Sequence, residues 1–320
     1  MINKIKLSSS QTNIRLDQYL SSKYTNLSRS KIQNLIKSGN VKIDGKCVKS
    51  SLLLKGNENI EMIYEDSIDE INILPEEIDL DIIYEDLSLI ALNKPAGLVV
   101  HPGNGNHKGT LLNGLIYYYN DLLSLSNNMP GIVHRLDKNT SGVILVAKSD
   151  DAHQFISNQF MNRSVYKNYK AIVWGRIEDE GIISSKILRH PKKRSIYTTS
   201  DYNGRESITH FKLIKYYPPF SYVDLFPKTG RTHQLRVHLQ SIGHPIVSDD
   251  LYGGGIILSK SFHVKYTNTI NLIFKLIKRV ALHAYSIKIT HPEKNEIVDY
   301  IAKLPEDFKK SIKYLDDEYK

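Results

Sequence analysis

Residues 131–148 read GIVHRLDKNTSGVILVAK. Within them VILVA is a continuous apolar run suited to a fully buried strand, and the preceding KNTSG supplies turn residues. If IVHRLD is extended, Ile132, His134 and Leu136 share one face while Val133, Arg135 and Asp137 share the other. Asp137 then sits where a strand leaves the core, shielded enough to be reactive and open enough to meet a substrate. The position equally suits an aspartate that opens the turn by accepting backbone amides, and the stretch alone leaves both readings open.

Apolar alternation recurs from LDIIYEDLSLIALNKP, near residue 80, to VDYIAKLPEDF, near residue 308, in many short segments with few clear helices. That pattern predicts an α+β catalytic domain over residues 81–320, dominated by mixed or antiparallel sheet. In PKTGRTHQLRVHLQSIGHP, residues 227–245, Thr232 is placed to cap a helix. Leu235, Leu239 and Ile242 fit its period, and Gly243 and Pro245 end it. Arg236 falls in the second turn. Arg231 lies at the helix mouth, where free amides and the positive dipole end favour anions. Such a corner can hold a phosphate, or keep a nearby carboxylate ionised; a plain exposed basic helix start is the alternative. VYKNYKAIVWG, residues 165–175, predicts a strand with Tyr169, Ala171 and Val173 on one face. Tyr169 is then either a core aromatic with a satisfied hydroxyl or a platform on which a base stacks.

The first sixty residues read as a helix-helix-hairpin unit. Leu16, Tyr19 and Leu20 repeat at helical spacing, and Ile32, Leu35 and Ile36 do so after Ser28, a placed N-cap. VKIDGKCV then alternates around Asp44-Gly45, a hairpin signal. Residues 1–60 carry eleven basic and three acidic side chains, with Arg29, Lys31 and Lys37 on or just before the second helix. This is either a binding surface or a solvated helix face.

The 320-residue chain has a net charge of +9, and the charge is uneven. Residues 61–86 hold eleven acids and no Lys or Arg, which leaves 43 basic against 23 acidic side chains, a balance of +20, on the rest. That excess favours a polyanionic partner, nucleic acid first. The acidic stretch, broken by Pro75, reads as the end of the small unit plus a linker over residues 73–80. There is no apolar run of membrane-spanning length, and MINKIKLSSSQTNIRLDQYL lacks the apolar block and cleavage site of a secretion signal, so a cytoplasmic protein is expected. Cys47 is the one cysteine. Neither it nor the histidine spacings (His233 and His238 are five apart) suggest a metal site. HPGNGNHKG, residues 101–109, is no Walker loop and reads as an ordinary loop near the active site.

Two resemblances join these elements. Residues 15–62, and LSRSKIQNLIKSGNVKIDGK above all, resemble the S4 domain, a small RNA-binding module, which is expected over residues 12–72. The segments HRLDKNTSGVILVAK, YKNYKAIVWG and TGRTHQLRVHLQSIGHPIVSDDLYGG resemble, in order, the motifs of RluA/RluD-type pseudouridine synthases. LNKPAGLVVHPGNGNHKGTLLNGL, ALHAYSIKITHP and LPEDF support the match, while Ser248, Tyr300 and residues 254–278 depart from it. The resemblance implies that Asp137 is the essential carboxylate and that Arg135 fills the space of an extruded nucleotide. Tyr169 would pack on the target uracil, Arg236 pair with Asp137, and Leu235 support the base. Arg231, His134, Arg29 and Lys31 complete the candidate substrate contacts. Uridine isomerisation has no redox step, so no cofactor is expected. RNA is the implied partner, ribosomal before transfer RNA, with the protein a monomer. A silent RNA-binding factor and an Asp137-dependent hydrolase are the rival classes; the hydrolase would need a second carboxylate.

Overall fold

The computed structural model describes residues 2–24, 27, 29–65, 73–103, 106, 108–119, 122, 131–193 and 195–320. They form two units, Met1–Asn72 and Ile73–Lys320. The first carries β1 (Ile2–Ser8), α1 (Leu16–Lys23), α2 (Arg29–Lys37), β2 (Val41–Ile43), β3 (Lys46–Cys47) and β4 (Asn59–Glu65). Asp44 and Gly45 take positive φ of 47° and 77° and close the hairpin between β2 and β3, as the Asp-Gly pair predicts. Beyond the expected helices and hairpin, β1 and β4 complete a sheet in the order β1-β4-β2-β3. Leu16, Tyr19 and Leu20 of α1 and Ile32 and Ile36 of α2 bury against Val41, Ile60 and Met62. The expected cap Ser28 lies outside the described residues, as do Asp66, Asp69 and Glu70 of the acidic stretch.

In the second unit β5 (Ile82–Glu85), β6 (Leu89–Lys94), α3 (Leu111–Tyr118), β7 (Ser141–Ala147), α4 (Asp150–Met161) and β8 (Tyr166–Trp174) come first. β9 (Glu180–Arg189), β10 (Tyr197–Ser200), β11 (Arg205–Tyr217), β12 (Phe220–Pro227), α5 (Gln234–Ser241), α6 (Thr267–Leu276), β13 (Leu282–Thr290), β14 (Ile297–Ile301) and α7 (Glu306–Glu318) follow. The strands build one ten-stranded sheet, β10-β9-β11-β12-β8-β13-β7-β6-β5, with β14 on β13. Its neighbours are antiparallel except β7 and β13, so the sheet is mixed, as expected. More helices pack on it than the sequence pattern announces.

β7 explains its own composition. Ile144 and Val146 bury beside α3, whereas Val143, Leu145 and Ala147 bury with Ala152 and Ile156 of α4, so every position of the strand is covered. Residues 73–80 pack onto the same region: Ile73 is buried with α3, and Asn113 Nδ2 donates to Leu74 O at 2.7 Å. The poorly matching segment 254–278 closes the core at the far end of β8, where Phe262 stacks on Trp174 with ring centroids 5.0 Å apart. Among the described residues no helix is long and apolar enough to cross a membrane.

Three local expectations need correction. IVHRLD is not a strand: Ile132 bridges Val146, and residues 133–136 run irregularly beside β7. The reason is His134, whose Nε2 accepts the Leu145 N–H at 2.9 Å and takes the place of a ladder carbonyl. Thr232 does not cap α5. Gln234 Oε1 accepts from Thr229 Oγ1 at 2.7 Å and from the Arg231 N–H at 3.0 Å, bending the TGR loop back so that the helix starts after His233. Ile242 lies past the end of α5 and is exposed, while Leu235 and Leu239 are buried.

Candidate active site

The irregular segment before β7 ends at Asp137, whose side chain is 26% exposed. Arg236 of α5 reaches it: Nη1 donates to Asp137 Oδ2 at 3.3 Å. The same guanidinium holds Asp249 with Nε at 2.7 Å and Nη2 at 2.8 Å, a buried bidentate pair, and lies 4.8 Å over the Tyr252 ring. Among the described residues no backbone amide donates to the Asp137 carboxylate, so the turn-opening role is not the one it plays.

A cavity of about 510 Å³ opens in front of this carboxylate. Tyr169 of β8, Leu235 and Arg236 of α5, Arg231, Arg135 and His134 all line it. Asp137 is the one carboxylate among the lining residues. Burial raises the Tyr169 phenol far above its ordinary value, and Asp137 adds to the effect, so the ring meets the cavity as a neutral aromatic. Arg135 is exposed at the mouth, with Nη1 3.5 Å from His101 Nε2. His134 is chiefly structural: its ring stacks on Phe160 at 4.9 Å, and burial pulls its pKa down to about 3, so it is neutral.

The cavity's lip is cationic. Arg163, Lys167, Lys228 and Arg231 line it. Burial, then Lys228, brings Lys167 down to about 8, and burial, then Arg205 and Arg163, lowers Arg231. These positive groups raise one another's energy in the absence of an anion, which a polyphosphate backbone would relieve.

Arg29 and Lys31 stand in the first unit, on α2. Arg29 Nε donates to the buried carboxylate of Asp17 at 3.1 Å, and Arg15 and Gln33 bind the same group. Burial would raise the Asp17 pKa, but these donors outweigh it and hold it well below the usual carboxylate range. Part of the basic character read from α2 is thus an internal ion pair that joins the two helices.

Three participants went unseen in the sequence. His233 Nε2 stands 3.9 Å from Asp137 Oδ2, and Asp249 and Tyr252 brace Arg236 and His233 from behind. The only sequence signal for them is membership of the stretches THQLR and SDDLYGG.

Residues 88–241 match a family model described as RNA pseudouridylate synthase, and residues 14–60 match the S4 domain. A ribosomal large subunit pseudouridine synthase D of Buchnera aphidicola subsp. Schizaphis graminum is 39% identical, covering 94% of this chain and 94% of its own. An uncharacterized RNA pseudouridine synthase of Bacillus subtilis (strain 168) is 36% identical, covering 98% of this chain and 99% of its own. Among solved structures, human RNA Pseudouridylate Synthase Domain Containing 4 superposes with a TM-score of 0.58 at 25% identity, over 74% of this chain and 93% of that one.

Proposed function

This chain belongs to the RNA pseudouridine synthases, and from that premise we propose that it isomerises uridines of large-subunit ribosomal RNA with Asp137 as the catalytic carboxylate. The observation that carries the reading is the lone carboxylate of the cavity, gripped by Arg236 and facing the same space as Tyr169. Relatives named for large-subunit ribosomal RNA, matching nearly end to end, support the choice of substrate.

Isomerisation breaks the bond from ribose C1′ to uracil N1, turns the base, joins C1′ to C5, and moves the C5 proton to N1. An ionised carboxylate serves either as nucleophile at C1′ or as the group that assists departure of the base and then removes the C5 proton. Arg236 holds the Asp137 carboxylate in place. The target must leave its stack at a cost of roughly a few kcal/mol. Stacking on Tyr169, worth about 1–3 kcal/mol, and the Arg135 guanidinium at the mouth offset that cost. Leu235 and Leu136, both buried, exclude water that would otherwise intercept the detached base. The cationic lip and the S4 domain bind phosphates, so affinity falls steeply with salt.

The test is to mix the purified protein with unmodified large-subunit ribosomal RNA and map pseudouridines, beside cells with and without the gene. New pseudouridines at the sites lost in the deletion support the reading. Released uracil, or no reaction on that RNA, overturns it.

A further inference from the structure

The surroundings of His233 leave its imidazole one protonation state that uses every proton. The Tyr197 N–H donates to the Tyr252 hydroxyl at 2.9 Å, and that hydroxyl lies 2.8 Å from His233 Nδ1. Burial pushes the Tyr252 phenol up to about 12, so it keeps its proton. Among the described residues Nδ1 is the only acceptor within reach of the phenol proton, so the direction that leaves no proton unused sends it to Nδ1 and keeps the ring's own proton on Nε2. Nε2 faces Asp137 Oδ2 at 3.9 Å, the same oxygen that Arg236 Nη1 approaches at 3.3 Å. Among the described residues no donor meets Oδ1.

The ring's direction is built into the backbone. His233 takes φ 57° and ψ 17°, a left-handed conformation at the head of α5, and the Tyr197 and Tyr252 rings meet its imidazole edge-on at 5.6 Å each. The charged and titratable groups that face it are Asp137 and Arg135 from the irregular segment, Tyr197 from β10, Arg236 from α5, and Asp249 and Tyr252 from the segment beyond. Burial lowers its pKa, Asp137 and Asp249 oppose, and the two arginines reinforce, so the ring is neutral at neutral pH.

We infer that His233 is a positioning residue, held by Tyr252 as the Nε2–H tautomer, which joins Arg236 on Asp137 Oδ2 and leaves Oδ1 as the oxygen presented to substrate. The inference rests on the reading of Asp137 as the catalytic carboxylate. Catalytic hydrogen bonds are often long before substrate arrives and tighten in the complex. A contraction of about 1 Å brings Nε2 within hydrogen-bond reach.

The resting enzyme tests the tautomer without turnover. In a ring-nitrogen NMR spectrum of the full chain, Nε2 of His233 is expected to be protonated and Nδ1 to be an acceptor; the opposite tautomer overturns the inference. In single-turnover kinetics, His233→Asn keeps a residue that tolerates the left-handed backbone but is too short to reach Asp137, and it loses about 100-fold in rate with little change in KM. His233→Gln, whose amide reaches the Nε2 position, recovers most of that loss. Equal rates for His233→Asn and wild type, or a His233→Gln enzyme as slow as His233→Asn, count against the role. Tyr252→Phe frees the ring to turn a lone pair toward Asp137, so its rate rises as pH falls through the imidazole range and Nε2–H returns. A profile parallel to wild type sinks the idea. A wild-type enzyme that forms no pseudouridine would remove the Asp137 reading and leave the tautomer result standing on its own.

Discussion

Arg236 serves Asp137 with the one edge of its guanidinium that Asp249 does not occupy. Nε and Nη2 are bound by Asp249 at 2.7 and 2.8 Å, and Nη1 is left 3.3 Å from Asp137 Oδ2. Asp249 therefore fixes the plane of the fork, and the fork fixes where the Asp137 carboxylate rests. A lysine cannot replace this geometry, because one ammonium has no rigid pair of edges.

Arg236→Met should be both unstable and inactive, for separable reasons. Asp249 is 1% exposed, and removing its partner leaves a buried, uncompensated charge at a cost of about 3–5 kcal/mol. Adding Asp249→Leu should restore most of the lost stability in urea unfolding, since an apolar pair of similar size is tolerated there, while single-turnover activity stays absent. Recovery of activity in the double variant would show that Arg236 acts only through the fold.

Much of this site was legible because its parts obey local rules. VILVA announces a strand covered on both faces, Asp44-Gly45 announces a hairpin, and the stretches around Asp137, Tyr169 and Arg236 stand out by their motifs. What escaped was set by contacts distant in sequence. No propensity indicates that His134 will take the amide of Leu145 and turn a would-be strand irregular. Nor does one indicate that Gln234 will capture Thr229 and the Arg231 amide, deny Thr232 the cap, and leave His233 in the left-handed region beside Asp137. Arg29 misled in the other direction, because its partner Asp17 lies twelve positions away on another helix.

Stability should fall as the solution is acidified below the ordinary histidine range. Burial pulls His134 down to about 3, and it brings His238 and His283 down to about 4 each. In the unfolded chain each takes up a proton near pH 6.5. Between about pH 6.5 and 4 the unfolded state thus binds more protons than the folded one, and stability rises with pH across that window. Above it these groups contribute no slope. Urea midpoints at about pH 7, 6 and 5 check this, with these three histidines together contributing nearly three protons to the uptake on unfolding near pH 5; a flat profile contradicts the neutral assignment.

Gly142 joins β7 to β13 in the sheet's one parallel pairing, opposite Ala284. Its φ is 119°, and a Cβ there would stand 2.1 Å from the Ala284 carbonyl oxygen. Gly142→Ala must therefore both strain the backbone and push the strands apart directly after the Asp137 turn. The expected cost exceeds about 3 kcal/mol, seen as a lower urea midpoint or loss of soluble protein. An unchanged midpoint would mean that the two strands can part without penalty.

Asp137→Asn isolates the charge from the shape. The amide is nearly isosteric, the side chain is partly exposed, and the buried Arg236–Asp249 pair stays intact. Folding should therefore change by less than about 1 kcal/mol, as is usual where no buried group loses its partner. Affinity for RNA should hold or rise slightly, since a negative charge leaves a cavity with a cationic lip. Conversion of uridine should nonetheless vanish, because an amide is neither a nucleophile at C1′ nor a base toward the C5 proton. Filter binding and pseudouridine mapping on the same preparation read both quantities together. Turnover within about tenfold of wild type would move the chemistry to another residue, and lost binding with intact turnover would mean that Asp137 anchors the RNA and leaves the reaction to others.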